Sequence, residues 1–131
     1  MSSLQSPYMP QGEIDDKRFA DLLIAEFPQL REEVCEWHDL SHLQMMEFVI
    51  FTEKAGEAGD WSTVERCLEL ANRVLNQGNT EIRNAVHVSY LEHLPREGEV
   101  HERIRALMSP ELRRAWENIQ AYLASLRDIE P

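Results

Sequence analysis

The side chains best suited to chemistry lie close together near position 40. A nucleophile, two bases and a carboxylate fall within eight positions of one another, as Cys35, His38, Asp39 and His42. Helical residues three or four positions apart are neighbours, so Cys35 would reach His38 and Asp39. Nucleophilic catalysis needs such a nucleophile and base, together with an orienting group. Against it, we expect the chain to break at residues 39–41, and no glycine-rich elbow or oxyanion hole accompanies the cysteine.

The two histidines at i and i+4 also have the spacing of zinc ligands. In a zinc-protease helix a glutamate follows the first histidine, whereas here Asp39, Leu40 and Ser41 fill the interval. The five glycines form no phosphate-binding loop, and no recognisable cleft assigns an acid or base role to any carboxylate. We therefore predict no catalytic residues, no metal and no cofactor. A small metal-binding or ligand-binding enzyme centred on Cys35, His38 and His42 is the remote alternative.

The charge balance excludes two classes of partner. The chain has 24 acidic and 13 basic residues, which gives a formal net charge of −11 at pH 7. Nucleic acid binding needs Lys and Arg side chains to neutralise phosphates, and binding to an anionic membrane needs them equally. We therefore expect neither nucleic acid nor a membrane as partner.

The negative charge is concentrated in one segment. Residues 26–60 hold nine acidic side chains and two basic ones, Arg31 and Lys54. Such a run is either a solvated face that keeps the protein soluble or an acidic docking surface for a basic partner. Trp37 lies within this segment and Trp61 directly follows it, and each would serve as an interface anchor or as a structural residue at a helix end. The candidate partner-binding residues are Glu32, Glu33, Glu36, Trp37, Asp39, Glu53, Glu57, Asp60 and Trp61.

Apolar periodicity and helix-terminus signals predict seven helices. Asp15 and Asp16 open the first helix, Pro28 ends it, Asp39 or Ser41 caps the third, and Ser109 before Pro110 opens the last. In the last helix, residues 112–126 place their apolar side chains on one stripe, which we predict to be core. The predicted helices cover residues 15–27, 29–37, 42–58, 61–77, 81–94, 99–108 and 110–127.

The helix predicted at residues 81–94, with Thr80 as its cap, has apolar side chains on every side. A soluble helix of that kind must be covered all round, so we predict it to be the buried central helix. The fold class is all-α, with six or seven helices in a compact bundle of helical hairpins like those of HEAT or TPR repeats. No fixed-period repeat is detected, so a full repeat array is not predicted.

Length and termini give the domain organisation. With 131 residues the chain suits one domain, which we place at residues 13–128. Residues 1–12 contain two prolines, a glycine and three serines without apolar periodicity, and we predict a flexible arm. Cys35 and Cys67 are too few for a disulfide framework, so buried reduced thiols are expected. With neither a membrane span nor a signal peptide, we expect a cytoplasmic protein.

Three segments carry a resemblance to a known family. They are residues 48–55 (FVIFTEKA), residues 59–71 with GDW followed by CLELA, and residues 82–94 (IRNAVHVSYLEHL), in which AVHVSYLEHL is the most specific part. The stretch resembles an uncharacterised bacterial family of small, acidic, all-helical proteins, over about 40% of the chain. That family is similar to immunity proteins encoded beside polymorphic or contact-delivered toxins. It implies no catalytic residues.

Two binding functions follow as expectations. The first is an immunity protein, or antitoxin, that binds a cognate toxin and occludes its basic active-site surface through the acidic segment. The second is a helical-repeat-like adaptor for a partner unrelated to toxins, which would use the groove between the helix at 61–77 and the central helix. Binding through the acidic segment would depend on salt, whereas binding in the groove would not.

Overall fold

The structure, a computed structural model, describes residues 13–94 and 97–129, with side chains as far as residue 126. The predicted arm, residues 1–12, lies outside this range. The described residues form seven α-helices and no β-strand, which confirms the all-helical prediction. None of these helices has both the length and the apolar composition needed to cross a bilayer. In chain order they are α1 (Asp16–Glu26), α2 (Arg31–Glu36), α3 (Ser41–Glu57), α4 (Trp61–Gln77), α5 (Thr80–Ala85), α6 (Glu99–Leu107) and α7 (Pro110–Ile129).

Local signals set most of the helix ends. Asp15, Asp60 and Ser109 precede α1, α4 and α7, and the side chain of each accepts the backbone N–H three positions on. These hydrogen bonds measure 2.8, 3.3 and 3.1 Å and satisfy N–H groups that a helix start otherwise leaves without a partner. Pro28 follows α1 and begins a short 3₁₀ turn that leads into α2.

The start of α3 differs from the prediction. Neither Asp39 nor Ser41 caps it, because Leu40 holds the capping position and makes no side-chain hydrogen bond there. Asp39 has a φ of +65°, a left-handed conformation that reverses the chain after α2. Its carboxylate lies 3.2 Å from Nε2 of His38. Asp39 therefore serves the turn that ends α2, and Ser41 is the first helical residue.

The central helix comprises α5 and the π-helix Val86–Leu91 that continues it directly. Its cap is Asn79 rather than Thr80, since Oδ1 of Asn79 accepts the N–H of Ile82 at 2.9 Å. The wider π turn shows in the hydrogen bond from the Glu92 N–H to the His87 carbonyl, five positions back, at 3.1 Å. The regular hydrogen-bonded helix ends at Leu91, before the predicted end at residue 94.

The central helix packs against α1, α3, α4 and α7, which bury most of its surface. One face stays in solvent, however. Glu81, Asn84 and Val88 lie at i, i+3 and i+7 on that face and are all exposed. The prediction that this helix is covered all round is therefore wrong, because its neighbours leave one side open.

Aromatic rings from three parts of the chain meet at the centre of the core. The ring of Phe48 in α3 lies 4.7 Å from Tyr90, 6.2 Å from Phe27 and 6.4 Å from Phe19, measured between centroids. All four rings are fully buried. The Tyr90 hydroxyl is 2.8 Å from Oγ1 of Thr52, which satisfies a polar group that is costly to bury alone. The aromatic centre therefore joins α1, α3 and the central helix.

The predicted core stripe of α7 is only half buried. Leu112 and Ala115 in its first half pack into the core. In the second half, 59% of Tyr122 and 42% of Leu126 are exposed. A helix of 20 residues is about 30 Å long, and α7 extends past the surface of α4 and the central helix that buries its start. The prediction that Tyr122 and Leu126 are core residues is therefore wrong.

Acid should destabilise the fold through His87. Burial, and secondly the charge of Arg83, lower the pKa of this half-buried histidine below its ordinary value. The unfolded chain then binds a proton that the folded chain resists, so the free energy of unfolding falls as pH drops through about 6.5. We expect His87→Gln to lose less stability than wild type between about pH 7.5 and pH 5.5. Urea titrations at both pH values measure the difference, and parallel losses in the two proteins would refute the assignment.

Candidate protein-binding face

The four residues near position 40 do not form one site. His42 is in α3, and its side chain contacts the central helix, with Nδ1 2.8 Å from the Ser89 hydroxyl. Cys35, His38 and Asp39 instead line a cavity of about 160 Å³ against α1. His42 is therefore in a structural contact and cannot orient the other three. Within residues 13–94 and 97–129, no cluster of three or more His, Cys, Asp or Glu side chains is arranged to hold a metal ion.

The two cysteines differ in environment. Cys67 is buried in α4, and its burial raises the pKa of the thiol to about 12. Cys35 is exposed, so the prediction of two buried thiols is wrong for this residue. It lies at the outer side of α2, where the neighbouring Val34 takes the core position.

The thiols should accordingly react at different rates. With a thiol reagent such as Ellman's reagent, we expect Cys35 to react within minutes and Cys67 only when the protein unfolds. The release of the coloured thiolate gives the stoichiometry, and Cys35→Ser identifies the fast phase. Rapid reaction of two thiols in the native protein would contradict the burial of Cys67.

The predicted partner-binding residues fall into two groups at opposite ends of α3. This helix has 17 residues and is about 25 Å long. The first group lies in and after α2, before α3 begins, and consists of Glu32, Glu33, Glu36, Trp37 and Asp39. The second lies at the far end, where α3 turns into α4, and consists of Glu53, Glu57, Asp60 and Trp61. One compact site does not include both groups.

Most of the second group is engaged within the fold. Asp60 caps α4 and also accepts the hydroxyl of Thr63 at 2.7 Å. The ring of Trp61 packs on the core, with the Arg103 guanidinium 4.7 Å from its centroid. Glu53 is half-buried, and its Oε2 lies 3.7 Å from Nε2 of His101 in α6. Desolvation by this burial raises the pKa of Glu53, and the opposing attraction of His101 is weaker. These contacts give Glu53, Asp60 and Trp61 structural roles, whereas Glu57 is exposed.

The first group remains on the surface. Glu32, Glu36 and Asp39 are exposed. Trp37 is half-buried, and its indole N–H donates to Oε2 of Glu47 in α3 at 3.1 Å. This bond joins α2 to α3 and fixes the tryptophan ring beside the outer surface of α3. Glu33 differs from the other acids, because its Oε1 is buried and has no hydrogen-bond partner.

Next to Trp37 lie exposed apolar side chains of types that are usually buried in a core. Leu40, Leu43 and Ile50 are between 38% and 50% exposed. Leu43, Glu47 and Ile50 lie at i, i+4 and i+7, on one face of α3, and Leu40 immediately precedes the helix. We call Trp37, Leu40, Leu43, Glu47 and Ile50 the Trp37 face. The apolar run of residues 43–51 is the sequence feature that could have indicated this face, because a helix so apolar needs either complete burial or a partner.

Packing decides which side of α3 is the exposed one. Met45, Phe48, Val49 and Thr52 take the inner side and are buried. The outer side, with Leu43 and Ile50, is exposed, although the Gln44–Val34 and Trp37–Glu47 hydrogen bonds join α3 to α2 and the turn after it. An exposed apolar patch with a polar margin is typical of protein-binding surfaces.

Comparison with known proteins gives a family without an assigned activity. Neither curated proteins nor solved structures provide a match to the chain. A family described as a domain of unknown function, DUF7674, matches residues 20–123, which include α2, α3 and the Trp37 face. Because this match covers more than half of the sequence, the chain belongs to the DUF7674 family.

Proposed function

We propose that this chain is a protein-binding immunity protein, an antitoxin that neutralises a cognate bacterial toxin by binding and occluding it through the acidic surface of α2 and the turn before α3. The observation that carries the proposal is the exposure of the Trp37 face in a segment where Glu32, Glu36 and Asp39 are exposed as well. An exposed apolar centre gives affinity, and exposed acids at its margin give charge complementarity. The assignment of a toxin as partner rests on the family resemblance of residues 48–94.

The charge of the chain fits a basic partner. A toxin that acts on nucleic acids, nucleotides or phosphorylated substrates has a basic active site. An acidic complement speeds association and raises specificity, because opposite potentials steer the encounter. Occlusion requires no catalytic group in the inhibitor, so the proposed protein is not an enzyme and needs no cofactor. It would act in the cytoplasm of the cell that makes the toxin.

Growth protection by matched charge variants tests the proposal. The toxin gene adjacent to that of this chain would be expressed from an inducible promoter, with wild-type or variant chain in the same cell. Glu32→Lys with Glu36→Lys reverses two exposed acids of α2. Glu65→Lys with Glu69→Lys makes the same change of net charge on α4, where both residues are exposed.

We expect wild type and the α4 variant to restore growth and the α2 variant to lose protection. Purified α2 variant should bind the toxin about tenfold more weakly or worse, with a reduced dependence on salt. Circular dichroism checks that both variants fold. Failure of wild type to protect against the toxin would refute the immunity function, and equal protection by both variants would refute the acidic surface of α2.

A second candidate, an adaptor for a partner unrelated to toxins, is favoured by a groove beside α4. This groove has a volume of about 440 Å³, and its lining includes Glu65, Leu68, Glu69 and Asn72 of α4 together with Leu107 and Ser109. The groove lies between α4 and the α6–α7 turn. It is not the groove predicted between α4 and the central helix, because those two helices pack directly on each other. Loss of binding to a captured partner in the α4 variant alone would favour this function.

A further inference from the structure

We infer that the Trp37 face binds an amphipathic helix of the partner protein, whose apolar stripe is flanked by Lys and Arg side chains. The inference rests on the proposed function, because it identifies the part of the partner that the same surface binds. It adds apolar contacts with the Trp37 face to the charge attraction between the acidic surface and the partner. Three features support it: the geometry of α3, the fixed position of Trp37 and the distribution of charge around them.

The apolar residues have helical spacing. Leu43 and Ile50 are seven positions apart, which on a helix is about 10 Å, or two turns. A partner helix with apolar residues at i, i+3 or i+4, and i+7 has the same repeat distance. Two such helices pack by placing the side-chain ridges of one in the grooves of the other. The length of the exposed stripe therefore fits a helix of two to three turns lying along α3.

Trp37 forms one side of the surface on which this helix would lie. Its indole N–H is already bonded to Glu47, so the ring needs no new polar partner when a ligand covers it. The bond also holds the ring in place before binding, which reduces the entropy lost on association. Fixed, half-buried tryptophans are common among the residues that dominate interface energies. Trp37 is accordingly the expected anchor of the interface.

The charges around the stripe select a basic helix. Glu36 is the last residue of α2 and is exposed, and Glu47 lies between Leu43 and Ile50 in α3. Lys54, four residues beyond Ile50, is exposed at the other end of the same side of α3. Lys and Arg side chains of the partner would therefore pair with the acids at the α2 end. A second copy of this chain is a poor occupant, because each copy has a net charge of −11.

Designed peptides test both parts of the inference on the full chain. One peptide places leucines and lysines in amphipathic order over about 14 residues, or four helical turns. A second has the same composition in scrambled order, and a third replaces each lysine by glutamate. Fluorescence anisotropy of the labelled peptides measures each dissociation constant at low and at high salt. Because the chain has three tryptophans, its emission change on binding is compared with that of Trp37→Phe, and the part lost in this variant reports contact at the face.

We expect the amphipathic basic peptide to bind at least about tenfold more tightly than either of the others. Leu43→Ser with Ile50→Ser should weaken its binding about tenfold, whereas Tyr122→Ser with Leu126→Ser, a matched exposed pair on α7, should not. Equal binding of the scrambled peptide, or equal effects of the two variant pairs, would overturn the inference.

The outcomes also separate this inference from the proposed function. If the chain protects against the toxin but shows no preference for the amphipathic basic peptide, the inference is overturned and the immunity function stands. If the peptide binds at the Trp37 face but the chain gives no protection, the immunity function is overturned and the docking surface stands. Because the substituted residues are partly exposed, circular dichroism of each variant should match that of wild type.

Discussion

Phe48→Ala is expected to lower the free energy of unfolding by about 3–5 kcal/mol. The Phe48 ring is fully buried and contacts the rings of Phe19, Phe27 and Tyr90, with centroids 4.7 to 6.4 Å away. Alanine would leave a cavity among side chains that belong to α1, α3 and the central helix. These helices cannot all move inward together, so the cavity would persist and its lining would lose dispersion contacts.

Thermal and urea unfolding measure this loss, which for a chain of this size corresponds to a Tm lower by about 10–20 °C. Phe51→Ala is the matched control. Phe51 is only half-buried, and its ring contacts Phe27 with centroids 5.0 Å apart. We expect it to cost no more than about 2 kcal/mol. Equal losses in the two variants would show that Phe48 is not the centre of the core.

Gly78→Ala should have the second largest effect, about 1–3 kcal/mol. A Cβ atom at this position would lie 2.6 Å from the carbonyl oxygen of Val74 and 3.0 Å from Cγ2 of Ile82. The backbone there has little room to move, because Ile14 bonds to both sides of the glycine. The Ile14 N–H donates to the carbonyl of Gln77 at 3.0 Å, and the Ile14 carbonyl accepts from the N–H of Asn79 at 2.8 Å. A shift that relieves the clash would strain these bonds.

Gly59→Asn gives the comparison for this variant. Gly59 has a φ of +76°, and a Cβ atom added there would have no atom within 4 Å apart from those of the glycine itself and its two chain neighbours. Asparagine adopts this left-handed conformation more readily than most residues, so we expect a loss below about 1 kcal/mol. Thermal unfolding of both variants measures the contrast. A larger loss at Gly59 than at Gly78 would contradict the tight packing between α4 and the central helix.

The positions of the helices follow from short-range chemistry. The caps at Asp15, Asp60 and Ser109 and the break at Pro28 act within one helical turn, so the sequence alone places these ends correctly. The start of α3 at Ser41 is one residue from the prediction, but the predicted cap at Asp39 or Ser41 is wrong, because the left-handed backbone of Asp39 and its contact with His38 are not readable from residue types. The end of the central helix was mispredicted for a similar reason, since the π turn depends on packing around it.

The candidate site shows the same limit. The acidic segment could be identified from the sequence, because charge is a property of composition. The sequence could not show that acids at one end of this segment have contacts within the fold while those at the other end are exposed. Glu53, for example, lies against His101, which is distant in the chain. Leu43 and Ile50 have the same residue types as core positions, and only the tertiary structure shows that they are exposed.

The sequence by itself determined the helical class, most helix boundaries and the negative charge of residues 26–60, because each depends on neighbours within a few positions. The tertiary structure decided which faces of these helices are buried. It placed Phe48 inside and Ile50 outside on the same helix, and it joined Trp37 to Glu47 across ten positions. These outcomes depend on contacts between residues far apart in the chain, and such contacts form only when the helices pack.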